Sequence, residues 1–321
     1  MLRFLLLTTM FMLGPAGVAG AQGYPARPVR LIVQFAAGGG ADFVARVLAT
    51  RLSESLGQSV IVDNRPGANG AIANELVVKS APDGYTLLLG AAGPLTVSPA
   101  LTANLPFDTL RDFAPIVLAA SSPFTVTVHP SVPARTIGEL TALAKSRPGR
   151  LTYGSSGTGG SPHLATELFM SLVGVKMVHV PYKGLAPAIT DLIGGQIDVL
   201  FADVGLVLGQ INAGKLRALA VTGAKRSSLL PQVPTVAETG LRGYEAGTWY
   251  GVLAPSAAPA EIVQRLYAAL QKVLAVPEVR ERFRTQGLEV EGDGPDPFRA
   301  RLRDELAKWS KLVKAAKIEI Q

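Results

Sequence analysis

Short apolar runs alternate along this chain with longer stretches in which apolar positions recur every three or four residues. Pro-Val-Arg-Leu-Ile-Val-Gln-Phe at 28–35 reads as a strand. From Asp42 to Leu56 the apolar positions Val44, Val47, Leu48, Leu52 and Leu56 fall on one helical face, and Gly57 stops the helix. A strand at 60–62, a turn at 65–70, a helix to about Lys79, a Pro82-Asp83-Gly84 turn and a strand from Tyr85 to Leu89 follow. This β-α-β-α-β order predicts a parallel sheet covered by helices on both faces. The same grammar restarts after Phe124. Strands are expected at 125–129, 151–153, 177–180, 197–201 and 216–221. Helices are expected at 137–147, about 161–172, 186–194, 262–274 and 298–314. A chain of 321 residues has room for about two such units.

The N-terminus breaks the pattern. Arg3 precedes an apolar run from Phe4 to Leu13, and Ala19-Gly20-Ala21 fits an A-x-A cleavage site. The run is shorter than the roughly 20 residues that span a bilayer. Residues 1–21 are therefore expected to be a secretory signal peptide, cleaved after Ala21, which places the mature protein in the periplasm. Cysteine is absent, so disulfides are excluded. The three histidines, His129, His163 and His179, lack the spacing of a zinc site, and neither a metal nor a cofactor is expected. The formal charge of +7 is scattered, and aromatics make up 6% of the chain. That argues against nucleic acid, which calls for a basic stripe, and suits small anions.

Two stretches then stand out. FAAGGGAD (35–42) and YGSSGTGGSPH (153–163) each follow a predicted strand and precede a predicted helix. Ligands of open parallel sheets bind beyond the carboxyl ends of the strands. The helix that starts there offers free N–H groups and the positive end of its dipole. Glycine lets an anion reach that backbone. Ser155, Ser156, Thr158 and Ser161 add hydroxyls. Two such loops facing across a cleft would clamp a small anion from both sides.

Other motifs are weaker. The second loop lacks the third glycine of a dinucleotide fingerprint, and G209-QINA-G214-K215 has Leu216 where a phosphate loop needs Ser or Thr. Asp203 closes the apolar strand 197–201 and is either a ligand contact or a helix cap, and Asp42 has the same two readings. Lys183, after the strand 177–180, faces an anion or simply solvent. An alternative reading is a secreted α/β-class hydrolase using Ser156 and His163, although no orienting acid is evident beside them.

Taken in order, VRLIVQFAAGGGADFVAR, VDNRPGANG, APDGYTLLLG, YGSSGTGGSPHLATELF, VPYKG, GGQIDVLFAD, LRALAVTGAKR and LPQVPTVAETG resemble the Bug family of exported binding receptors. These are the substrate-binding components of tripartite tricarboxylate transporters. The resemblance runs from about Tyr24 to the C-terminus. It implies a two-domain α/β periplasmic-binding-protein fold of the Venus-flytrap type, with two mostly parallel sheets and a hinge of two crossovers. These are expected near Ser122–Phe124 and Tyr244–Thr248, giving one domain from 22–123 plus 246–321 and another from 124–245. It implies a receptor without enzymatic activity that binds a small organic carboxylate: a di- or tricarboxylate, an acidic amino acid or an aromatic acid. Delivery would be to membrane permease subunits or a sensor protein, with the receptor itself a monomer. Carried over, the ligand residues are Phe35, Ala37, Gly38, Gly39 and Asp42 on one side. On the other are Ser155, Ser156, Gly157 and Thr158, with Asp203 nearby. The chain departs from the family at Ala36–Ala37, where a proline is common, and at Ser98 and Thr102, where Asn and Tyr are common.

Overall fold

A computed structural model describes residues 23–182 and 184–316. The predicted leader, its cleavage after Ala21, and Lys183 lie outside the described residues. In the first lobe β1 (Val29–Val33) pairs in parallel with β2 (Val60–Asn64) and, later, with β3 (Thr86–Ala91). Four of the five β1 residues are buried. A strand covered by helices on both sides needs apolar residues on both sides, hence the apolar run broken only by the exposed Arg30. Between β1 and β2 lies α1 (Gly40–Leu56), which buries Val44, Val47, Leu48 and Leu52 and ends at Gly57 in a left-handed conformation. Between β2 and β3 lies α2 (Ala71–Val78). After β3 a π-helical turn, 93–97, leads into the short α3 (Ser98–Leu101).

The strand β4 (Phe113–Val128) is 16 residues long and belongs to both lobes. Up to Pro123 it pairs antiparallel with β9 (Gly247–Pro255), and β9 in turn pairs with β3. From Phe124 it pairs antiparallel with β7 (Val199–Asp203) and β8 (Arg217–Val221). The second lobe is otherwise parallel. There β5 (Thr152–Ser155) lies between β6 (Val178–Pro181) and β7. Its helices are α4 (Ile137–Ser146), α5 (Ser161–Val173), α6 (Leu185–Ile193) and α7 (Val204–Asn212). The chain ends with α8 (Ala260–Ala275), α9 (Pro277–Thr285), β10 (Glu289–Asp293) on the edge of β4, and α10 (Pro295–Ala316). The parallel strands follow the predicted repeat. The antiparallel pairings come from β4 and β9, which join the lobes.

At the junction the two crossing segments are stitched together. Thr222, fully buried, accepts from Phe124 N at 2.7 Å and donates to the Ala246 carbonyl at 2.7 Å through one hydroxyl. Gly247 pairs with Pro123, and a Cβ there would stand 2.7 Å from the Ser122 carbonyl. Only glycine allows that approach. The predicted partition gave 246–321 wholly to the first lobe, but α10 touches both. Phe298 and Leu302 pack with Trp249, Phe107 and Phe113 of the first lobe. Trp309, Leu312 and Val313 pack with Phe169, Leu164 and Tyr244 of the second. Between them Glu305, buried, accepts from Trp249 Nε1 at 2.9 Å and Thr96 Oγ1 at 2.9 Å.

Candidate functional site

The two glycine loops lie at the carboxyl ends of β1 and β5. Each leads into a helix whose N-cap is a glycine without a side-chain acceptor: Gly39 before α1 and Gly160 before α5. The first-turn N–H groups of both helices are left without capping partners. A side-chain cap is present at the start of α4, where Thr136 Oγ1 accepts from Glu139 N at 3.1 Å, while α2 and α6 also start from glycine caps without one, Gly70 and Gly184.

The first loop is open. Phe35 through Gly40 are all exposed, with Phe35 at 37%. Gly38 has φ +90 and nothing near its missing side chain, while Gly39 has ordinary φ −91 and only the Ala36 carbonyl at 4.0 Å. Asp42 lies beneath the loop. Its buried carboxylate accepts from Gly38 N at 2.9 Å, Arg46 Nε at 2.9 Å and Asn64 Nδ2 at 3.1 Å. The hydrogen bond from Arg46, aided by those from Gly38 and Asn64, holds the carboxyl below the usual carboxylate range against the effect of burial. Asn64 Nδ2 also donates to the Phe35 carbonyl at 3.0 Å. The helix-cap reading does not hold for Asp42, since α1 has Gly39 as its N-cap and no side-chain cap bond. The carboxylate ties the loop to its own helix and to β2.

The second loop is tied down by neutral groups. Ser155 is fully buried, and its hydroxyl meets His179 Nε2 at 2.7 Å and accepts from Gly157 N at 3.1 Å. The expectation that it offers this hydroxyl to a ligand is corrected here: the side chain points into the lobe. His163 Nδ1 accepts from Gly159 N at 3.0 Å. The rings of His163 and His179 stack at 4.0 Å, and Tyr153 stacks on His179 at 4.9 Å. Tyr153 and His179 are register partners on β5 and β6. The Tyr153 hydroxyl donates to Glu167 at 2.6 Å. Burial, then the neighbouring His179, pushes His163 down to about 4, so it is neutral near pH 7. Burial lowers His179 as well. With Nδ1 occupied by Gly159 and Nε2 directed toward Glu167 at 3.8 Å, His163 has no contact with Ser156, as the hydrolase reading would require. Ser156 and Gly157 are half-buried and Thr158 is exposed. Gly157 has φ +127, and a Cβ there would meet the Tyr182 carbonyl at 3.3 Å.

Asp203 ends β7, beside the strand that feeds the second loop, and its own side chain makes no cap bond to α7. Burial raises its carboxyl to about 6, with the Ser122 hydroxyl acting in the opposite direction. Tyr250 of β9 is its neighbour, and the Asp203 charge adds to burial in raising the phenol. The Tyr250 hydroxyl in turn lies 2.8 Å from where a Cβ on Gly40 would be, at the start of α1. Tyr250 thus connects Asp203 of the second lobe to the first loop. Sequence reasoning passed over it because β9 was not predicted. His179, Arg46 and Asn64, which hold the loops in shape, were passed over for the same kind of reason: their roles depend on strand register. Among the described residues no group of three or more His, Cys, Asp or Glu side chains could hold a metal ion, and no helix is long and apolar enough to cross a membrane.

Comparison with known proteins gives a consistent picture. The profile of the "Tripartite tricarboxylate transporter family receptor" family matches residues 44–318. The solved structure "R. palustris Rpa4515 with adipate" is 38% identical, with a TM-score of 0.80 over 92% of this chain and 99% of that one. The periplasmic binding protein BugD is 37% identical, with a TM-score of 0.77 over 93% and 100%. MatC from Rhodopseudomonas palustris with bound malate is 30% identical, with a TM-score of 0.76 over 90% and 100%.

Proposed function

The chain belongs to the tripartite tricarboxylate transporter receptor family, whose members are solute-binding proteins rather than enzymes, and from that premise we propose that it is a periplasmic receptor for a small organic di-acid. One observation carries the reading. Two helices, one in each lobe, begin with glycine caps and unpaired N–H groups at the carboxyl ends of parallel strands. An anion held there gains from both N-termini. The relatives with adipate and malate support a ligand of the same class. Gly38, Gly39 and Gly40 present backbone on one side. Ser156, Gly157 and Thr158 do so on the other, with Phe35 and Ala37 at the rim. Asp42 and Ser155 act behind these groups by fixing the loops.

The lobes divide as 22–123 with 246–321 and 124–245, with the end of α10 laid across the second. A ligand that touches both loops makes all of its contacts only when they approach. It therefore stabilises the closed form over the open one. Bending is expected at Pro123 and Gly247, where β4 and β9 part company. The closed form is then the one presented to membrane permease subunits or a sensor. Export with cleavage after Ala21 completes the scheme. Isothermal titration with adipate and with malate tests the core of it. Stoichiometric binding without turnover is expected, together with a smaller radius of gyration by small-angle scattering. No binding of either acid, or hydrolysis of ester probes at Ser156, would overturn it.

A further inference from the structure

A cavity of about 510 Å³ opens at the hinge, apart from the glycine loops. No residue of either loop borders it, and neither Asp203 nor Tyr250 does. Neighbouring residues of β9 divide the two places. Tyr250 turns to the cluster of α1 and α8 and to Gly40, while Trp249 turns the opposite way, to Phe298, Leu302 and Glu305 of α10. The cavity is on the α10 side, where Glu305, Lys308 and Trp309 line it. Its other walls come from both lobes. One is the start of β10, paired with the first-lobe half of β4, and another is the segment 223–228, which follows β8 of the second lobe. Ser228 N and Oγ donate to the Glu289 carboxylate at 3.3 and 3.1 Å across this boundary. Pro123 and Gly247, where bending is expected, border it as well.

Four glutamates and four basic residues line the cavity, so their formal charges cancel. They are not equally engaged. Glu289 accepts from Ser228, Glu291 from Ser121, and Glu245 and Glu305 from Arg301. Arg226 and Arg301 are taken up in ion pairs with Glu238, Glu245 and Glu305. Among the described residues Lys225 and Lys308 form no ion pair, and Lys308 Nζ, half-buried, donates only to the Glu245 carbonyl at 3.2 Å. The buried Trp309 has an indole N–H without a partner among them. The groups left over are donors, and an anionic acceptor is what completes them. Apolar surface is at hand on Pro123, Val290 and Trp309. We propose that this cavity is a second binding site, for a small organic acid with an apolar body, whose carboxylate is held by Lys308. An occupant touches both lobes at the hinge, so it has different contacts in the open and closed forms and changes the affinity of the cleft. A cleft ligand changes the occupant's affinity by the same factor. The site stands on the cavity alone, and the coupling rests on the closure proposed above.

2-Naphthoate serves as the probe, since it carries one carboxylate on a rigid apolar body. It is titrated into the ¹⁵N-labelled protein with no other acid present. The chain has two tryptophans, Trp249 and Trp309, and hence two indole N–H signals. Saturable movement of the Trp309 signal and of the amides at 223–228 is expected, and it should persist in Gly39→Trp, which obstructs the cleft. Lys308→Met keeps an unbranched stem over the indole and removes the charge. It should weaken the probe roughly tenfold, the loss of a charge-assisted hydrogen bond, and leave malate affinity as in wild type. With the probe saturating, the affinity for malate or adipate should change severalfold in wild type and stay constant in Lys308→Met. A probe that moves only glycine-loop amides, or that binds Lys308→Met as tightly as wild type, would overturn the site. Binding at the cavity with malate affinity unchanged would overturn the coupling. Failure of malate and adipate to bind at all would remove the receptor reading and the coupling with it, while the probe titration still decides the site.

Discussion

The two glycine loops perform one task with opposite chemistry. The first is exposed and held from beneath by a charge: Asp42, tied to Arg46, Asn64 and Gly38. The second is half-buried and held by uncharged groups, the Ser155 hydroxyl and the imidazoles of His179 and His163. Both end in a glycine cap with unpaired N–H groups. The buried Asp42 stays ionised because the Arg46 guanidinium and the Gly38 and Asn64 donors offset its desolvation. Deep in a lobe, a neutral acceptor such as a histidine ring costs less than a carboxylate. The difference implies that the loops fail under different conditions and respond differently to added side chains.

The largest contrast should come from adding bulk. Gly39 has ordinary φ and open space, so Gly39→Trp should fold normally and lose at least a hundredfold in affinity for adipate or malate. Gly157 has φ +127 and the Tyr182 carbonyl at 3.3 Å. Gly157→Trp should therefore lose binding and thermal stability together, since backbone strain at such a position costs on the order of 1–3 kcal/mol before any clash. Calorimetry and melting curves on both variants check the pair. Equal loss of stability in the two would erase the distinction.

Acid comes next. His163 binds protons less readily in the folded chain, at about 4, than in an unfolded one near 6.5. The unfolded state therefore holds more protons between those values, and stability falls as pH is lowered through that window. A shift of this size amounts to about 3 kcal/mol. Burial of His179 adds in the same direction. His163→Asn keeps an acceptor for Gly159 N but does not titrate there, so its urea midpoint should vary much less between pH 6.5 and 4. An unchanged slope would show that the imidazole is not the group that titrates.

Asp42 behaves differently. Its folded carboxyl is held below its unfolded value. Its contribution is thus complete above about pH 4 and is lost only as pH falls further. At neutral pH, Asp42→Asn should cost about 1.5–3 kcal/mol, the range for hydrogen bonds to a charged group, with affinity lost in parallel. Last, Thr136→Ala, at the capped start of α4, should cost about 1 kcal/mol and leave affinity unchanged. Chemical denaturation followed by titration measures both.

Much of this was legible beforehand, for physical reasons that can be named. The β-α-β order from 29 to 91 shows because apolar strands and amphipathic helices have distinct periods. β4 was seen only as its last residues. Pro115 and Pro123 and the Ser121-Ser122 pair interrupt its apolar run, and the strand survives because register shifts and a change of partner accommodate them. β10 (EVEGD) and α9 (PEVRERFRT) carry too few apolar residues to be seen. In the site, the glycines and Asp203 were visible as residues at strand ends. The inward turn of Ser155 was not, because it depends on Tyr153 and His179 being register partners on separate strands. Tyr250 was hidden similarly, since it reaches Gly40 only through the antiparallel pairing of β9 with β3.

The central claim is that one anion is held by both loops at once, and an amide titration tests it most directly. In ¹⁵N-labelled protein, malate or adipate should move the resonances of Gly39, Gly40 and Ala41 and those of Gly157, Thr158, Ser161 and His163. Both sets should follow one saturation curve, with downfield shifts at the N–H groups newly bonded to a carboxylate and a smaller shift at Gly157, whose N–H already donates to Ser155 Oγ. Shifts confined to one loop, or two sets with different midpoints, would contradict the account.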